Sequence, residues 1–383
     1  MSEIRLVHLT KRFGGLQAVK GVSLRFLPHT TTCLLGPSGC GKTTILRMIA
    51  GLEAPTSGQV WIADQDVTNL PPRRRDIAMV FQYPTIYRGL GVFENIELPL
   101  REQKLSPAER RKRVENAIQL LGLNGSVNKD PSRFDNGTRQ RVAFARAVAR
   151  QSSILLFDEP ITNVDPESKF RLKQDLKKLT QELKQTIVYV THDQNEAMTL
   201  ADQIVLMKDG SVLQQDAPRQ VYNHPSHRFG GWFLGNPGMS FLDHPIPPSG
   251  AGLLRSDLFP YLVRLSGELP MDARLSHKVV LGVRPEQVQL RLDASADAVP
   301  CEVLRKFLGV AGQYLAAVRL REHTVWVKCS NQLGRKLGRQ AYLRCSPGVV
   351  TVFDDNERAL SVRLVRHEEL VKPSQPSPEA MGI

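Results

Sequence analysis

Through roughly the first 235 residues, short solid apolar runs alternate with longer stretches in which apolar residues recur every three or four positions. The runs Thr31–Leu35, Ile77–Phe81, Ile154–Phe157 and Ile187–Thr191 are apolar and rich in β-branched or aromatic residues, the texture of strands buried on both faces. Such strands interleaved with helices predict an α/β fold around a largely parallel sheet. Ile204–Lys208 and Ser211–Gln215 flank Asp209-Gly210, a two-residue hairpin signal. One helix is well marked at its start: Ser106-Pro107-Ala108-Glu109 puts Ser at the N-cap, Pro at N1 and Glu at N3. Val114, Ala117, Ile118 and Leu121 then share one face. This segment breaks the alternation, so residues from about 86 to 150 read as an inserted helical subdomain.

After about residue 236 the pattern changes. Pro and Gly cluster in Asn236-Pro237-Gly238 and from His244 to Gly250, and strand-like runs such as Val279–Val283, Tyr314–Val318 and Thr324–Lys328 follow. This predicts a second, all-β domain with small-barrel, OB-like character over 236–372. The tail 373–383, with its Ser, Pro and Gln, is expected to be disordered. No internal repeat is visible.

A chain of 383 residues has room for both domains. No apolar run approaches the ~18 residues of a membrane span, and the start MSEIRLVHLT lacks the form of a signal peptide. A cytosolic protein is expected, reaching any membrane through partners. Five cysteines, Cys33, Cys40, Cys301, Cys329 and Cys345, show neither a C-x-x-C pair nor zinc spacing. They read as reduced structural residues. The net charge of +13 is spread over short runs, Arg73-Arg74-Arg75 and Arg110 to Arg113, without interleaved aromatics. Solvated faces or contact with anionic lipid fit this better than a nucleic-acid footprint.

The chemistry-bearing segment is Gly36-Pro37-Ser38-Gly39-Cys40-Gly41-Lys42-Thr43, followed by Thr44. It fits G-x-x-x-x-G-K-[ST], follows a strand, and opens a helix running to about Ala50 with Gly51 as its stop. Glycines let backbone N–H groups curl around phosphate oxygens, and the helix N-terminus adds positive dipole. Lys42 then neutralises the β- and γ-phosphates of ATP, and Thr43 offers a hydroxyl to Mg²⁺. Ile154 to Glu159 is an apolar strand ending in two carboxylates. Alone, such an ending is more often a capped turn. Downstream of a P-loop it reads as Asp158 for Mg²⁺ and Glu159 as the general base that polarises water.

With these motifs the chain resembles the ATPase subunits of ABC transporters, specifically the maltose-type and glycerol-phosphate-type importer ATPases, over nearly its whole length. The resemblance implies that Phe13 stacks on adenine. Gln82 matches the glutamine that senses Mg²⁺ and the transmembrane partner, Asp165 in Thr162-Asn163-Val164-Asp165 the aspartate that speaks across a dimer, and His192 the switch histidine on the γ-phosphate. Ala217 to Pro225, continuing to Phe233-Leu234-Gly235, resembles the end of the importer ATPase domain. Leu281-Gly282-Val283-Arg284-Pro285-Glu286 resembles a hallmark of the C-terminal regulatory domain. The implied protein sits peripherally at the cytoplasmic face of the inner or plasma membrane. It binds permease subunits and serves, through a solute-binding protein, uptake of a sugar or polyol.

One stretch departs from the pattern. Where the family has Leu-Ser-Gly-Gly-Gln, this chain has Phe134-Asp135-Asn136-Gly137-Thr138, before Arg139-Gln140-Arg141. The family serine and glycines cap ATP bound to the opposite subunit. Asp135 suits a helix N-terminus, but it puts an anion where a γ-phosphate should dock. Repulsion at ~4 Å is about 4 kcal/mol per charge pair at an effective dielectric of ~20. Asn136 adds bulk where the family has Gly. Everything the chain supplies to its own nucleotide is intact, so a heterodimer with a second, distinct ATPase chain is expected. A homodimer and a subunit that binds ATP with little hydrolysis are the alternatives.

Overall fold

A computed structural model describes residues 3–127, 129–162, 164–182, 185–245, 252–267, 278–309 and 312–367. Asn163, most of the His244–Gly250 segment and the tail 373–383 lie outside the described residues. The chain divides into two compact units, Met1–Val221 and Tyr222–Ile383.

The first unit runs β1 (Ile4–Phe13), β2 (Leu16–Phe26), β3 (Thr31–Leu35), α1 (Lys42–Ala50), β4 (Ser57–Ile62), β5 (Gln65–Asp66), β6 (Ile77–Val80), α2 (Val92–Glu97), α3 (Pro107–Leu120) and α4 (Asn136–Ala149). It continues through β7 (Ile154–Asp158), α5 (Pro166–Glu182), β8 (Thr186–Thr191), α6 (Gln194–Leu200), β9 (Gln203–Lys208) and β10 (Ser211–Asp216) to α7 (Pro218–Asn223), within which the division falls. A six-stranded sheet has the order β10-β9-β3-β8-β7-β6. All its pairs are parallel except the β9–β10 hairpin. Every residue of β3, β7 and β8 is buried, as the solid apolar runs predict. Asp209 and Gly210 both take positive φ, 49° and 81°, the geometry of a hairpin turn that matches strand twist.

A second sheet, antiparallel with the order β2-β1-β4-β5, is not anticipated by the sequence reading. Register shifts between Leu6 and Leu9, Leu9 and Lys11, and Lys11 and Arg12 scramble the two-residue period that would announce β1. One core cluster joins Ile4, Leu6 and Phe26 of this sheet to Ile45 and Ile49 of α1 and to Leu156 and Val190 of the parallel sheet. The helix carrying the P-loop lysine is thereby seated from both sides.

In the helical subdomain, Ser106 Oγ accepts from the Glu109 N–H at 3.2 Å, and Val114, Ala117, Ile118 and Leu121 are buried as expected. Phe144 of α4 meets Phe157 of β7 edge-on at 5.5 Å, which fixes α4 against the strand that ends in Asp158. The arginine run at 73–75 is not a uniformly solvated face. Arg73 and Arg74 are exposed, but Arg75 is 4% exposed and donates to the carbonyls of Thr68, Leu70, Met48 and Ile49. A cation there complements the negative end of α1.

The second unit is all-β apart from short helices: α8 (Arg228–Phe233), β11 (Ser240–Pro245), β12 (Leu253–Leu254), β13 (Val263–Ser266), β14 (Lys278–Val283), β15 (Val288–Arg291) and β16 (Ala298–Leu308). Then come β17 (Tyr314–Leu320), β18 (His323–Cys329), α9 (Asn331–Lys336), β19 (Gln340–Cys345), β20 (Thr351–Phe353) and β21 (Arg363–Arg366). Its antiparallel sheets have the orders β11-β14-β20, β12-β13-β21 and β15-β19-β16-β17-β18. The last one curls until its edge strands β15 and β18 approach. This unit begins earlier than the Pro/Gly cluster at 236 suggests, because Arg284 ties residues 222 to 234 to β14. Its guanidinium, 1% exposed, stacks 3.6 Å over the Tyr222 ring and donates to Tyr222 O at 2.9 Å and Leu234 O at 2.6 Å.

Candidate nucleotide site

Strand β3 delivers Gly36 to a crowded place: a Cβ there would lie 2.3 Å from Met207 O. Gly41, with φ at 100°, holds a left-handed conformation, and a Cβ on it would lie 2.5 Å from Ala18 O. The loop Gly36 to Gly41 therefore turns tightly onto α1, whose N-cap is Gly41. No side chain caps the helix and no acidic residue stands in its first turn. Among the described residues its leading N–H groups meet no side-chain acceptor, which suits phosphate oxygens. Lys42 is 4% exposed, and its Nζ donates to Gly36 O and Pro37 O, each at 2.9 Å. The ammonium lies against the loop that Pro37, Ser38, Gly39 and Cys40 complete, with Thr44 in the first turn of the helix. Cys40 is buried, and that burial pushes its thiol pKa up, so it stays protonated.

Thr43 Oγ1 donates to Asp158 Oδ1 at 2.7 Å. Burial pushes the Asp158 carboxyl upward, against the Thr43 hydrogen bond and the charges of Arg47 and Lys42. A hydroxyl and a carboxylate side by side beneath the lysine fit Mg²⁺, which takes one or two protein oxygens and completes its octahedron with phosphate and water. Next in sequence, Glu159 sits at φ 45° with its N–H on Val190 O at 3.0 Å. The pairing of Asp158 with Val190 across β7 and β8 places the two strand ends together. As a result Glu159 Oε2 lies 3.1 Å from His192 Nδ1 and accepts from Thr162 Oγ1 at 3.3 Å. A non-glycine residue in the left-handed region carries strain of about 1–3 kcal/mol, the kind concentrated at functional sites.

The structure therefore gathers Lys42, Thr43, Asp158, Glu159 and His192 at one end of the parallel sheet. Gln82 follows β6 at the same end, since Val80 pairs with Phe157, but its side chain makes no hydrogen bond among the described residues. Phe13 ends β1, 47% exposed, with Lys11 Nζ over one face of its ring at 4.9 Å from the centroid. Asp165 is exposed and caps α5, Oδ1 accepting from Ser168 N–H at 3.0 Å. The hydrogen bonds from Ser168 hold its carboxyl below the usual range.

Helix α4 begins at Asn136 and Asp135 is its N-cap, with φ −62° and ψ 163°. Oδ1 accepts from the Thr138 N–H at 2.7 Å and Oδ2 from the Thr138 hydroxyl at 3.0 Å. Burial would raise this carboxyl, but the Thr138 hydrogen bonds outweigh it and lower its pKa, so Asp135 stays ionised. Phe134 is half-buried, and Asp135 and Asn136 are exposed. A Cβ on Gly137 would lie 2.7 Å from Ser168 Cβ, so α4 and α5 meet there backbone to side chain.

Two groups escape sequence reasoning. Asn95, fully buried, accepts from the Tyr87 N–H and donates to the carbonyls of Tyr87, Leu90 and Gly91, while Arg146 of α4 donates to its Oδ1. Together they latch the loop after Gln82 to α4. That loop borders an apolar groove of about 300 Å³ lined by Leu52, Phe81, Tyr83, Tyr87 and Pro99, with Arg146 and Arg150 beside them. Glu196 is the second: the D-x-x-E spacing from Asp193 signals a capping box, yet its side chain points elsewhere, to Thr191 and Tyr189.

Residues 19–162 match the model of the family described as ABC transporter. The trehalose/maltose import ATP-binding protein MalK of Thermococcus litoralis is 42% identical over 297 residues, covering 75% of this chain and 79% of the relative. The sn-glycerol-3-phosphate import ATP-binding protein UgpC of Yersinia pestis is 38% identical over 355 residues, covering 92% and 98%. Among solved structures, the ATP-binding cassette MJ0796, a dimer in a post-hydrolysis state bound to ADP and Pi, superposes with a TM-score of 0.51. It is 34% identical and covers 56% of this chain and 99% of its own. Among the described residues no helix is long and apolar enough to cross a membrane.

Proposed function

This chain belongs to the ATP-binding subunits of ABC transporters and is an ATPase of that family, and from this premise we propose that it powers uptake of a sugar, polyol or glycerol-phosphate-like solute through partner permeases. The observation that carries the reading is the convergence of Lys42, the Thr43–Asp158 pair and the Glu159–His192 contact at one sheet end. In this reading the loop Gly36 to Gly41 and Lys42 hold the phosphates of ATP, and Phe13 stacks on adenine. Thr43, Asp158 and Gln82 would hold Mg²⁺, which would supply positive charge to the phosphate oxygens. Glu159 accepts a proton from water as the water oxygen bonds to the γ-phosphorus and the bond to ADP breaks, releasing ADP and phosphate. His192, in contact with Glu159, serves the γ-phosphate in this reading. The solute class is supported by relatives named for trehalose/maltose and sn-glycerol-3-phosphate import.

Permease docking is assigned to the exposed aromatic groove beside Gln82, and the Asn95–Arg146 latch makes it continuous with α4. The protein then sits peripherally on the cytoplasmic face of the membrane, the region after about residue 235 serving regulation. A second feature bears on assembly. With both Asp135 oxygens on Thr138, a partner's γ-phosphate would meet a carboxylate where the family presents a serine and open amides. A distinct second ATPase chain carrying a sound signature would complete this chain's site, leaving one strong and one weak site. Purifying the tagged chain from native membranes in mild detergent tests both readings through mass spectrometry of stoichiometric companions. Permeases with a second ATPase are expected; permeases with this chain alone would refute the asymmetric pair, and no permease would refute the transport function.

A further inference from the structure

We propose that Glu196 is a positioning residue for His192, holding the Thr191–Asp193 turn through the Thr191 hydroxyl. Glu196 is 2% exposed, in the first turn of α6, and an acidic side chain at that depth requires partners on every side. It has them. Oε2 accepts from Thr191 Oγ1 at 2.8 Å and from Tyr189 Oη at 3.0 Å, and Oε1 faces Lys169 Nζ at 3.2 Å and Lys173 Nζ at 3.8 Å.

Thr191 is the decisive partner because its hydroxyl works twice. It donates to Glu196 and accepts from the Asp193 N–H at 2.9 Å, so it bridges the residues on either side of His192. Asp193 is itself pinned: Oδ1 caps α6 by accepting from Asn195 and Glu196 N–H, and Oδ2 pairs with Lys169 and Lys173. His192, by contrast, is half-exposed, and among the described residues its one side-chain partner is Glu159. The direction of its ring is therefore set by the backbone that carries it, and that backbone is set from below by Glu196. Lys169 belongs to α5, whose first turn accepts at Asp165 O from the Lys169 N–H at 2.8 Å. The cluster thus also joins the His192 turn to the helix that Asp165 caps.

The inference rests on hydrolysis using Glu159 and His192. The test compares Glu196→Gln, Thr191→Val, the double variant and Tyr189→Phe in the assembled transporter, measuring ATP hydrolysis against ATP concentration, with melting temperature recorded alongside. Tyr189→Phe is the control for mere burial, since it removes a hydrogen bond to the same carboxylate without touching the turn. Glu196→Gln and Thr191→Val are each expected to lower kcat about tenfold with KM for ATP within about twofold, as small misplacement of a reacting group does. The double variant should lose no more than either single one, and Tyr189→Phe should keep kcat within about twofold. Unchanged kcat in Glu196→Gln, or an equal loss in Tyr189→Phe, would overturn the positioning role. Full hydrolysis by a Glu159→Gln complex in the same assay would instead overturn the underlying function.

Discussion

Replacing Asp135 by Ser separates what this residue does for its own helix from what it does to a nucleotide. As N-cap, Asp135 satisfies the Thr138 N–H at 2.7 Å. Ser caps about as well as Asp, so Asp135→Ser gives up only the charge–dipole contribution, about 0.3–1 kcal/mol. Part of that is returned by removing repulsion with Asp165, which works against the ionised form of Asp135. Asp135→Ala removes the cap itself and should cost about 1 kcal/mol, a fall of about 2–4 °C in melting temperature for a domain of this size. The sign of the pH dependence follows from the lowered carboxyl. Burial works against ionisation, but the Thr138 hydrogen bonds hold the Asp135 carboxyl below its ordinary value, so it is charged at neutral pH and any obstruction of a docking phosphate would persist there. Steady-state hydrolysis by the purified chain, with and without Asp135→Ser Asn136→Gly, reads the functional half. At least a tenfold rise is expected, since relief of about 1.4 kcal/mol in closure suffices for that factor. Equal turnover would show that Asp135 does not obstruct a shared site, and the reasoning from its position would fail.

Other consequences are independent of the signature. Phe13→Ala should raise the apparent Kd for ATP about tenfold, the loss of one base stack of about 1–3 kcal/mol, measurable with a fluorescent nucleotide; unchanged affinity would remove Phe13 from the site. The Asp193 carboxyl is burdened by burial, but the Lys169 hydrogen bond and the Lys173 and Lys169 charges outweigh it and hold it at about 2. That depressed pKa contributes on the order of 2 kcal/mol above the ordinary carboxylate range of about 4. The contribution is lost as pH falls toward 2, so Asp193→Asn should flatten acid unfolding between about pH 5 and pH 2. Arg284→Ala strands the Leu234 and Tyr222 carbonyls and should destabilise the second unit by about 3 kcal/mol, seen as a shifted calorimetric transition.

The candidate nucleotide site can be proposed from the sequence because it is built from contiguous segments with local rules. A strand, a glycine turn and a lysine at a helix start need no distant residue to be recognised, and neither does an apolar strand ending in Asp158-Glu159. What stayed hidden depends on partners far along the chain. Arg75 reads as one of three exposed arginines until the carbonyls of Met48 and Ile49 are seen to meet it. Glu196 looks like a capping-box residue, and only the arrival of Lys169 from α5 explains its burial. Bulges hide β1, and the second unit starts at Tyr222 because Arg284, distant in sequence, reaches back to it.

The assignment of hydrolysis to this chain meets its most direct test in Glu159→Gln within the assembled transporter, scoring bound ATP and released phosphate in the same sample. Retained ATP with phosphate release reduced at least a hundredfold, the usual contribution of a general base, is the predicted result. Phosphate release at the wild-type rate would contradict the chemistry assigned to Glu159 and His192.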